Sequence, residues 1–270
     1  MDKNFLILTV IFAIVRSLWL LRSSSGSHGS SWPSSTGRTE QIFDESLTER
    51  VRFDASGWTF ASRDGKSWLW CDALGNVLGL QAIARNLGPV AVDGDVVSYC
   101  RENVAFGSSL VEARPVHAGT FRGHVSIEKR ARPPGYSYIG RLHVMLEHQT
   151  VVFWIQALEH GVTGVREAVV VAEALKEGRI SIPAGSPSGT KIPGWFVDPY
   201  DPTRNGRTIC SIADEQQYDG KVPGHPLSRI RQTMAQIEAS FELRDASQDS
   251  GDPWPYPPLT ASDEQPRTIH

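Results

Sequence analysis

Apolar and polar residues alternate through the middle of the chain in the manner of β-strands. The alternation is clearest where Leu142, Val144 and Leu146 are interleaved with Arg141, His143 and Glu147. The run Val151–Leu158 is almost wholly apolar, which is typical of a strand in the middle of a sheet. The passage from Tyr136 to Leu158 therefore predicts two adjacent strands.

After Gly161 the apolar period changes to that of a helix. Thr163 is the predicted N-cap and Gly178 the predicted end, with the apolar stripe Val165, Ala168, Val169, Ala172 and Leu175. A second helix follows Pro226, with the stripe Leu227, Ile230, Met234, Ile237 and Phe241. The second stripe has the regular spacing of a helix that lies on a core.

The first half of the domain shows shorter runs separated by turn residues. Strands are predicted at Val51–Asp54, Trp58–Ser62, Ser67–Asp72, Val77–Ile83, Ser109–Val116 and Thr120–Lys129. Asp93 is the predicted N-cap of a helix with the stripe Val96, Val97, Cys100 and Val104. The fold class is therefore α+β: a single domain with a curved, mainly antiparallel sheet covered by about three helices.

This order of elements, with the closing sequence Ala239-Ser240-Phe241-Glu242-Leu243, resembles the PsbP/Mog1-like α-β-α sandwich over about Val51–Leu243. The segments Gly161–Ala168 and Trp195–Pro202 also resemble those of uncharacterised bacterial proteins. Sandwich proteins of this kind are mostly accessory and binding proteins. The resemblance implies a non-enzyme and assigns no site residues.

Both ends of the chain differ in composition from the domain predicted at 42–243. Residues 1–22 contain the apolar run Phe5–Leu21, which as a helix is about 25 Å long and suits a membrane anchor or signal segment. A cleaved signal peptide and a misplaced start codon are the alternatives. Residues 23–41 are a Ser/Gly-rich linker, and 244–270 a disordered Pro-rich tail in which Trp254 and Tyr256 are a possible docking motif.

Charge and motifs exclude several classes of function. The net charge is -3, which favours no nucleic acid partner, and the basic cluster Glu128–Arg132 is typical of a solvated turn. No CxxC, HExxH or GxGxxG motif occurs, so we expect no metal and no cofactor. The histidines at positions 117, 124, 143, 148 and 160 are expected on exposed sheet faces, and the three cysteines are expected to be inert.

The candidate site residues fall mainly in the long connection Ile182–His225, because connections of this length are usually functional or cap a sheet. The ligand or interaction candidates are Arg166, Glu167, Trp195, Asp198, Tyr200, Asp201 and His225. Asp198 and Asp201 with Asn205 could coordinate calcium, but Asp-Pro is also an ordinary turn former. Arg166 is expected either to bind an anion or to pair with an aspartate of this connection.

The sequence favours a non-catalytic accessory or binding domain, membrane-tethered through Phe5–Leu21, whose partner is an unknown protein or small ligand. One alternative is a hydrolase with a site in the 194–225 loop that uses Asp198, Asp201 or His225. The other is a soluble cytoplasmic protein-interaction domain.

Overall fold

The computed structural model describes residues 47–64, 67–83, 95–182, 192–205 and 208–245. The predicted anchor, the linker, the Asp93 cap and the tail beyond Asp245 lie outside these ranges. Within them, the strands are β1 (Val51–Arg52), β2 (Thr59–Asp64), β3 (Ser67–Cys71), β4 (Val77–Ile83), β5 (Ser108–Ala118), β6 (Phe121–Arg132), β7 (Gly135–Met145), β8 (Thr150–Leu158) and β9 (Glu242–Leu243). The helices are α1 (Leu47–Arg50), α2 (Val96–Glu102), α3 (Val165–Lys176) and α4 (Pro226–Ser240).

Among the described residues, β2 to β8 form a 7-stranded antiparallel sheet in the order β2-β3-β4-β8-β7-β6-β5. Hairpins join neighbouring strands except at β4 and β8, which pair from Val77 with Gln156 to Ile83 with Thr150. The short strands β1 and β9 pair separately and hold the two ends of the described domain together. The predicted α+β class with a mainly antiparallel sheet is confirmed.

One face of the sheet lies under α4. The predicted stripe of this helix is confirmed: Leu227, Ile230, Met234, Ile237 and Phe241 are all buried in the main core. Gly140 lies directly beneath the helix, and a Cβ atom there would lie 2.5 Å from Ile230 Cγ2. Pro226 occupies the first turn as predicted, where its missing N–H leaves no hydrogen bond unmade.

The opposite face of the sheet lies partly under α2. Cys100 of this helix packs with Leu110 and Ala113 of β5, and burial raises the pKa of its thiol to about 11. The helix begins after Asp95, whose side chain accepts a hydrogen bond from Ser98 N. Asp95 is therefore the N-cap seen in the structure, and the helix ends at Glu102.

Two histidines on the α2 side are not exposed, since His124 is buried and His143 is half-buried, so the prediction for them is wrong. His124 and His143 face each other across β6 and β7, with His124 Nε2 2.6 Å from His143 Nδ1. Tyr99 of α2 contacts His124 edge-on. Burial, then the neighbouring His124 and Arg141, hold the pKa of His143 well below 6.5.

The helix α3 packs with a different stripe from the predicted one. Arg166, Val170 and Ala174 are buried, whereas the predicted stripe from Val165 to Leu175 is exposed. The buried stripe contacts the long connection, where Trp195, Ile212 and Tyr218 belong to the same apolar cluster. The predicted cap is also corrected, because the helix begins after Gly164 at a φ of 76° that favours glycine.

We predict that Gly79→Ala destabilises the domain by about 1–3 kcal/mol through overpacking. A Cβ atom at this position of β4 would lie 2.1 Å from Trp154 Cε2 on the neighbouring strand. Urea unfolding measures the change. In a Trp154→Leu background the same substitution should cost much less, and an equal cost in both backgrounds would show that the Trp154 ring is not the cause.

Candidate functional site

A cleft of about 450 Å³ opens at the N-terminal end of α4. Its walls come from the β3–β4 turn, from the connection between β8 and α3, and from the stretch that leads into α4. Leu74, Val162 and Val165 line it, and their side chains are 57%, 82% and 44% exposed. The cleft thus combines exposed apolar side chains with the polar groups of Asn76, Glu159, His225 and Arg229.

The buried carboxylate of Asp72 organises the wall at the β3–β4 turn. Its Oδ1 accepts hydrogen bonds from the backbone N–H groups of Leu74 and Asn76. Its Oδ2 accepts from Asn76 Nδ2 at 2.7 Å and from Arg229 Nη2 at 2.5 Å. Within the described part of the chain, Asn76 Oδ1 and Arg229 Nη1 are buried and have no hydrogen-bond partner. One acceptor and one donor therefore remain unused among the residues that line the cleft.

His225 and Glu159 form a buried pair in the same cleft. His225 Nδ1 accepts the N–H of Leu227 as the N-cap of α4, so this nitrogen carries no proton. The proton is then on Nε2, which donates to Glu159 Oε1 at 3.1 Å. Burial acts to raise the pKa of Glu159, but the hydrogen bonds from His225 and from the Tyr136 amide outweigh it and lower the pKa. Both ring nitrogens of His225 are engaged.

Glu159, Glu167 and His225 place one possible ligand atom each within 4.8 Å of one another, which suggests a metal site. The hydrogen bonds do not fit that interpretation. A metal on His225 Nε2 would force the proton onto Nδ1, where it would face the N–H of Leu227. The Lys129 ammonium also lies 3.7 Å from Glu167 Oε1, and it already supplies a positive charge to this carboxylate.

Lys129 of β6 is only 1% exposed. Its Nζ donates to Asp214 Oδ1 at 3.0 Å and to Oδ2 at 2.9 Å, and it lies 4.1 Å from the centre of the Tyr136 ring. Burial acts to lower the pKa of Lys129, but the charges of Asp214 and Glu167 outweigh it and raise the pKa. The predicted solvated turn at Glu128–Arg132 is wrong, because this segment is the end of β6 and Lys129 points into the domain.

Arg166 is also fully buried, and its donors are used within the chain. It donates to the carbonyls of Ala213 and Glu215, to Ser228 Oγ, and to Asp219 Oδ1 at 2.8 Å. The ion pair with Asp219 matches the expected pairing with an aspartate of the long connection. Arg166 therefore joins α3, the connection and α4 through four hydrogen bonds, and its full burial leaves no accessible surface for an external anion.

The other candidates lie against α2 and β5. Asp198 accepts from Arg101 Nη2 at 2.6 Å, and its own N–H donates to Asn205 Oδ1. Asp201 caps a single helical turn by accepting from Thr203 N. The Tyr200 hydroxyl accepts from Ala113 N and donates to Ala113 O. The proposed calcium ligands Asp198, Asp201 and Asn205 are thus used as turn formers and ion-pair partners.

The structure brings some of the candidates together and separates the rest. His225 lines the cleft, Glu167 lies beside it, and Arg166 supports it from α3. Trp195 is buried in the cluster under α3, and Asp198, Tyr200 and Asp201 do not line the cleft. Sequence reasoning missed Glu159, Asp72, Asn76 and Arg229. For Asp72 and Asn76 a signal existed, since the segment was recognised as a turn.

The thiol of Cys210, in the long connection, is buried, and burial raises its pKa to about 12. A thiol with such a pKa holds almost no thiolate at neutral pH, and thiolate is the nucleophilic form. This agrees with the expectation of an inert cysteine.

Comparison with known proteins gives information about the fold. No family model and no curated protein matches the chain. Cyanobacterial PsbP (CyanoP) from Synechocystis sp. PCC 6803 is similar at 11% identity over 53% of this chain and 95% of that protein, with a TM-score of 0.31. A protein from Bacteroides thetaiotaomicron VPI-5482 is similar at 15% identity over 44% of this chain, with a TM-score of 0.29.

The match to the Bacteroides protein covers 42% of that chain, which is less than half of its length. PsbP is thus among the proteins to which this chain is similar, as the sequence predicted. At these identities the likeness concerns the fold alone.

We predict that Lys129→Met destabilises the domain by about 3–5 kcal/mol, because it leaves Asp214 buried beside Glu167 without a cation. Chemical denaturation with paired fluorescence and circular dichroism probes measures the loss. The double variant Lys129→Met/Asp214→Asn should be more stable than Lys129→Met alone, because it removes the unpaired charge. A double variant less stable than Lys129→Met would contradict the proposed origin of the loss.

Proposed function

We propose that this protein is a non-catalytic binding domain and that the cleft at the start of α4 is its binding site. The observation that carries the proposal is the pairing of exposed apolar side chains with an unused buried donor and acceptor in one cleft. Leu74, Val162 and Val165 supply the apolar surface, and Arg229 Nη1 and Asn76 Oδ1 supply the polar groups. Apolar pockets with a few fixed polar groups are typical small-ligand sites.

The charges around the cleft favour an uncharged polar group in the ligand. Arg229 is paired with Asp72 and Lys221 with Glu173, and the Glu159 carboxylate accepts hydrogen bonds from His225 and from the Tyr136 amide. A charged ligand would lose its hydration without meeting an unpaired opposite charge among these residues. An amide matches better, because its C=O can accept from Arg229 while its N–H donates to Asn76.

The hydrolase alternative receives less support from the same geometry. A histidine that acts as a general base needs a ring nitrogen that can accept a proton from the nucleophile. His225 Nδ1 is used by the Leu227 amide, and its Nε2 proton points at Glu159. Asp198 and Asp201 are held by Arg101 and Thr203 away from the cleft lining.

Acetanilide, an amide with an apolar ring, is a suitable probe for the full-length protein. We expect its titration into protein with labelled Leu and Val methyl groups to shift the NMR signals of Leu74, Val162, Val165 and Val222, which line the cleft. Val169 and Leu175 are exposed on α3 outside the cleft and should not move.

Val165→Asp should weaken the titration about tenfold or more, whereas Val169→Asp should leave it unchanged. These two variants are matched, because both replace exposed valines of α3 that are 44% and 39% accessible. Shifts at Val169 equal to those at Val165, or no shifts at the cleft, would overturn the proposal.

We also propose that the domain is tethered to a membrane by Phe5–Leu21, as the apolar run indicates. Within the described residues, no helix is both long and apolar enough to cross a bilayer. Full-length protein with a C-terminal epitope tag should sediment with membranes and resist carbonate extraction. A variant with Leu8→Asp and Ile11→Asp should move to the supernatant, and full-length wild-type protein found wholly in the supernatant would reject the tether.

A further inference from the structure

We propose that the cleft is the docking site of this chain's own C-terminal segment Trp254–Leu259. The inference rests on the proposed function, since it takes the cleft to be a binding site and names its occupant. The segment reads Trp-Pro-Tyr-Pro-Pro-Leu and carries no charged side chain. It therefore matches a cleft in which Arg229 and Lys221 form ion pairs and Glu159 accepts hydrogen bonds within the chain.

The polar groups of the segment complement those that the cleft leaves unused. The Trp254 indole N–H and the Tyr256 hydroxyl are donors that Asn76 Oδ1 can accept from. The carbonyl groups of a Pro-rich segment are not used by internal hydrogen bonds, because the polyproline II helix has none. One of them can accept from Arg229 Nη1.

The apolar groups also match. Leu74, Val162 and Val165 present side chains that are exposed in the described structure, and Val222, Pro223 and Pro226 line the same cleft. Covering them with the Trp254 and Tyr256 rings and the Leu259 side chain would remove apolar surface from water on both sides. The restricted backbone of the prolines lowers the entropy lost on docking.

The chain is long enough to place this segment in the cleft. The tail leaves the domain just after β9, which directly follows the C-terminal end of α4, while the cleft lies at the N-terminal end of α4. A 15-residue helix is about 22 Å long. The nine residues from Ala246 to Trp254 can extend to about 30 Å. These residues are therefore long enough to run back along α4.

An occupant tethered in this way competes with any external ligand. A tether of this length gives a local concentration on the order of 1 mM. If the free segment binds with a dissociation constant on the order of 100 μM, the tether weakens binding of an external copy about tenfold. The tail would then set the affinity that an external partner must exceed.

The test uses a fluorescein-labelled peptide of residues 252–260 and full-length protein, with fluorescence polarisation as the readout. The variant Trp254→Ala/Tyr256→Ala should bind the added peptide about tenfold more tightly than wild type, because its own tail no longer fills the cleft. The control Thr268→Ala/Ile269→Ala changes the tail outside the segment and should behave as wild type. Val165→Asp in the Trp254→Ala/Tyr256→Ala background should remove binding.

Equal affinities for wild type and Trp254→Ala/Tyr256→Ala, or no binding by either, would overturn the docking of the tail. The acetanilide titration separates that failure from a failure of the cleft itself. Methyl shifts at Val165 with acetanilide but no effect of the tail substitutions would leave the binding site in place and remove only its intramolecular occupant.

Discussion

The rest of the structure depends on one buried ion pair, between Lys129 of β6 and Asp214 of the long connection. A lysine that is 1% exposed at the end of a sheet strand is costly unless a carboxylate meets it. Asp214 does so with both oxygens, and its Oδ2 also accepts the N–H of Ser211. The connection must therefore lie on the sheet for the sheet itself to be stable, and this couples a segment with little regular structure to the core.

From Asp214 the polar contacts continue to the two helices that border the cleft. Arg231 of α4 donates to the Asp214 carbonyl and to both oxygens of Asp219. Arg166 of α3 donates to Asp219 and to Ser228 in the first turn of α4. These contacts fix the first turns of α3 and α4 relative to each other, and both turns line the cleft. The contacts of the long connection therefore shape the cleft. This explains why the residues that line the cleft are far apart in sequence.

The fold was predictable from the sequence where burial follows apolar periodicity. Val77–Ile83 matches β4 to the residue, and the stripe of α4 from Leu227 to Phe241 is buried as predicted. Periodicity failed for α3, because its buried stripe begins with Arg166 while the exposed stripe is the more apolar of the two. A pattern based on hydrophobicity assigns an arginine to the surface. It carries no information on the carbonyl, hydroxyl and carboxylate groups that accept hydrogen bonds from this arginine in the folded chain.

The site was predictable only in part, for a related reason. His225 was among the candidates, but its partner Glu159 directly follows β8 and lies 66 residues earlier in sequence, so only the fold brings the two together. Lys129 was assigned to a solvated turn, because the charged residues next to it in sequence do not show that Asp214 lies opposite it in the fold. Asp72 was predicted as the end of a strand that precedes a turn, but its placement of Arg229 depends on where α4 packs.

Hydrogen–deuterium exchange tests the coupling of the connection to the sheet most directly. Because Asp214 secures the connection to β6, peptides that cover residues 211–219 should exchange as slowly as peptides from β6 and β7, at a rate set by global unfolding. Exchange of residues 211–219 within seconds, while β6 and β7 stay protected, would show that the sheet is stable without the connection. That result would contradict the role given to the Lys129–Asp214 pair.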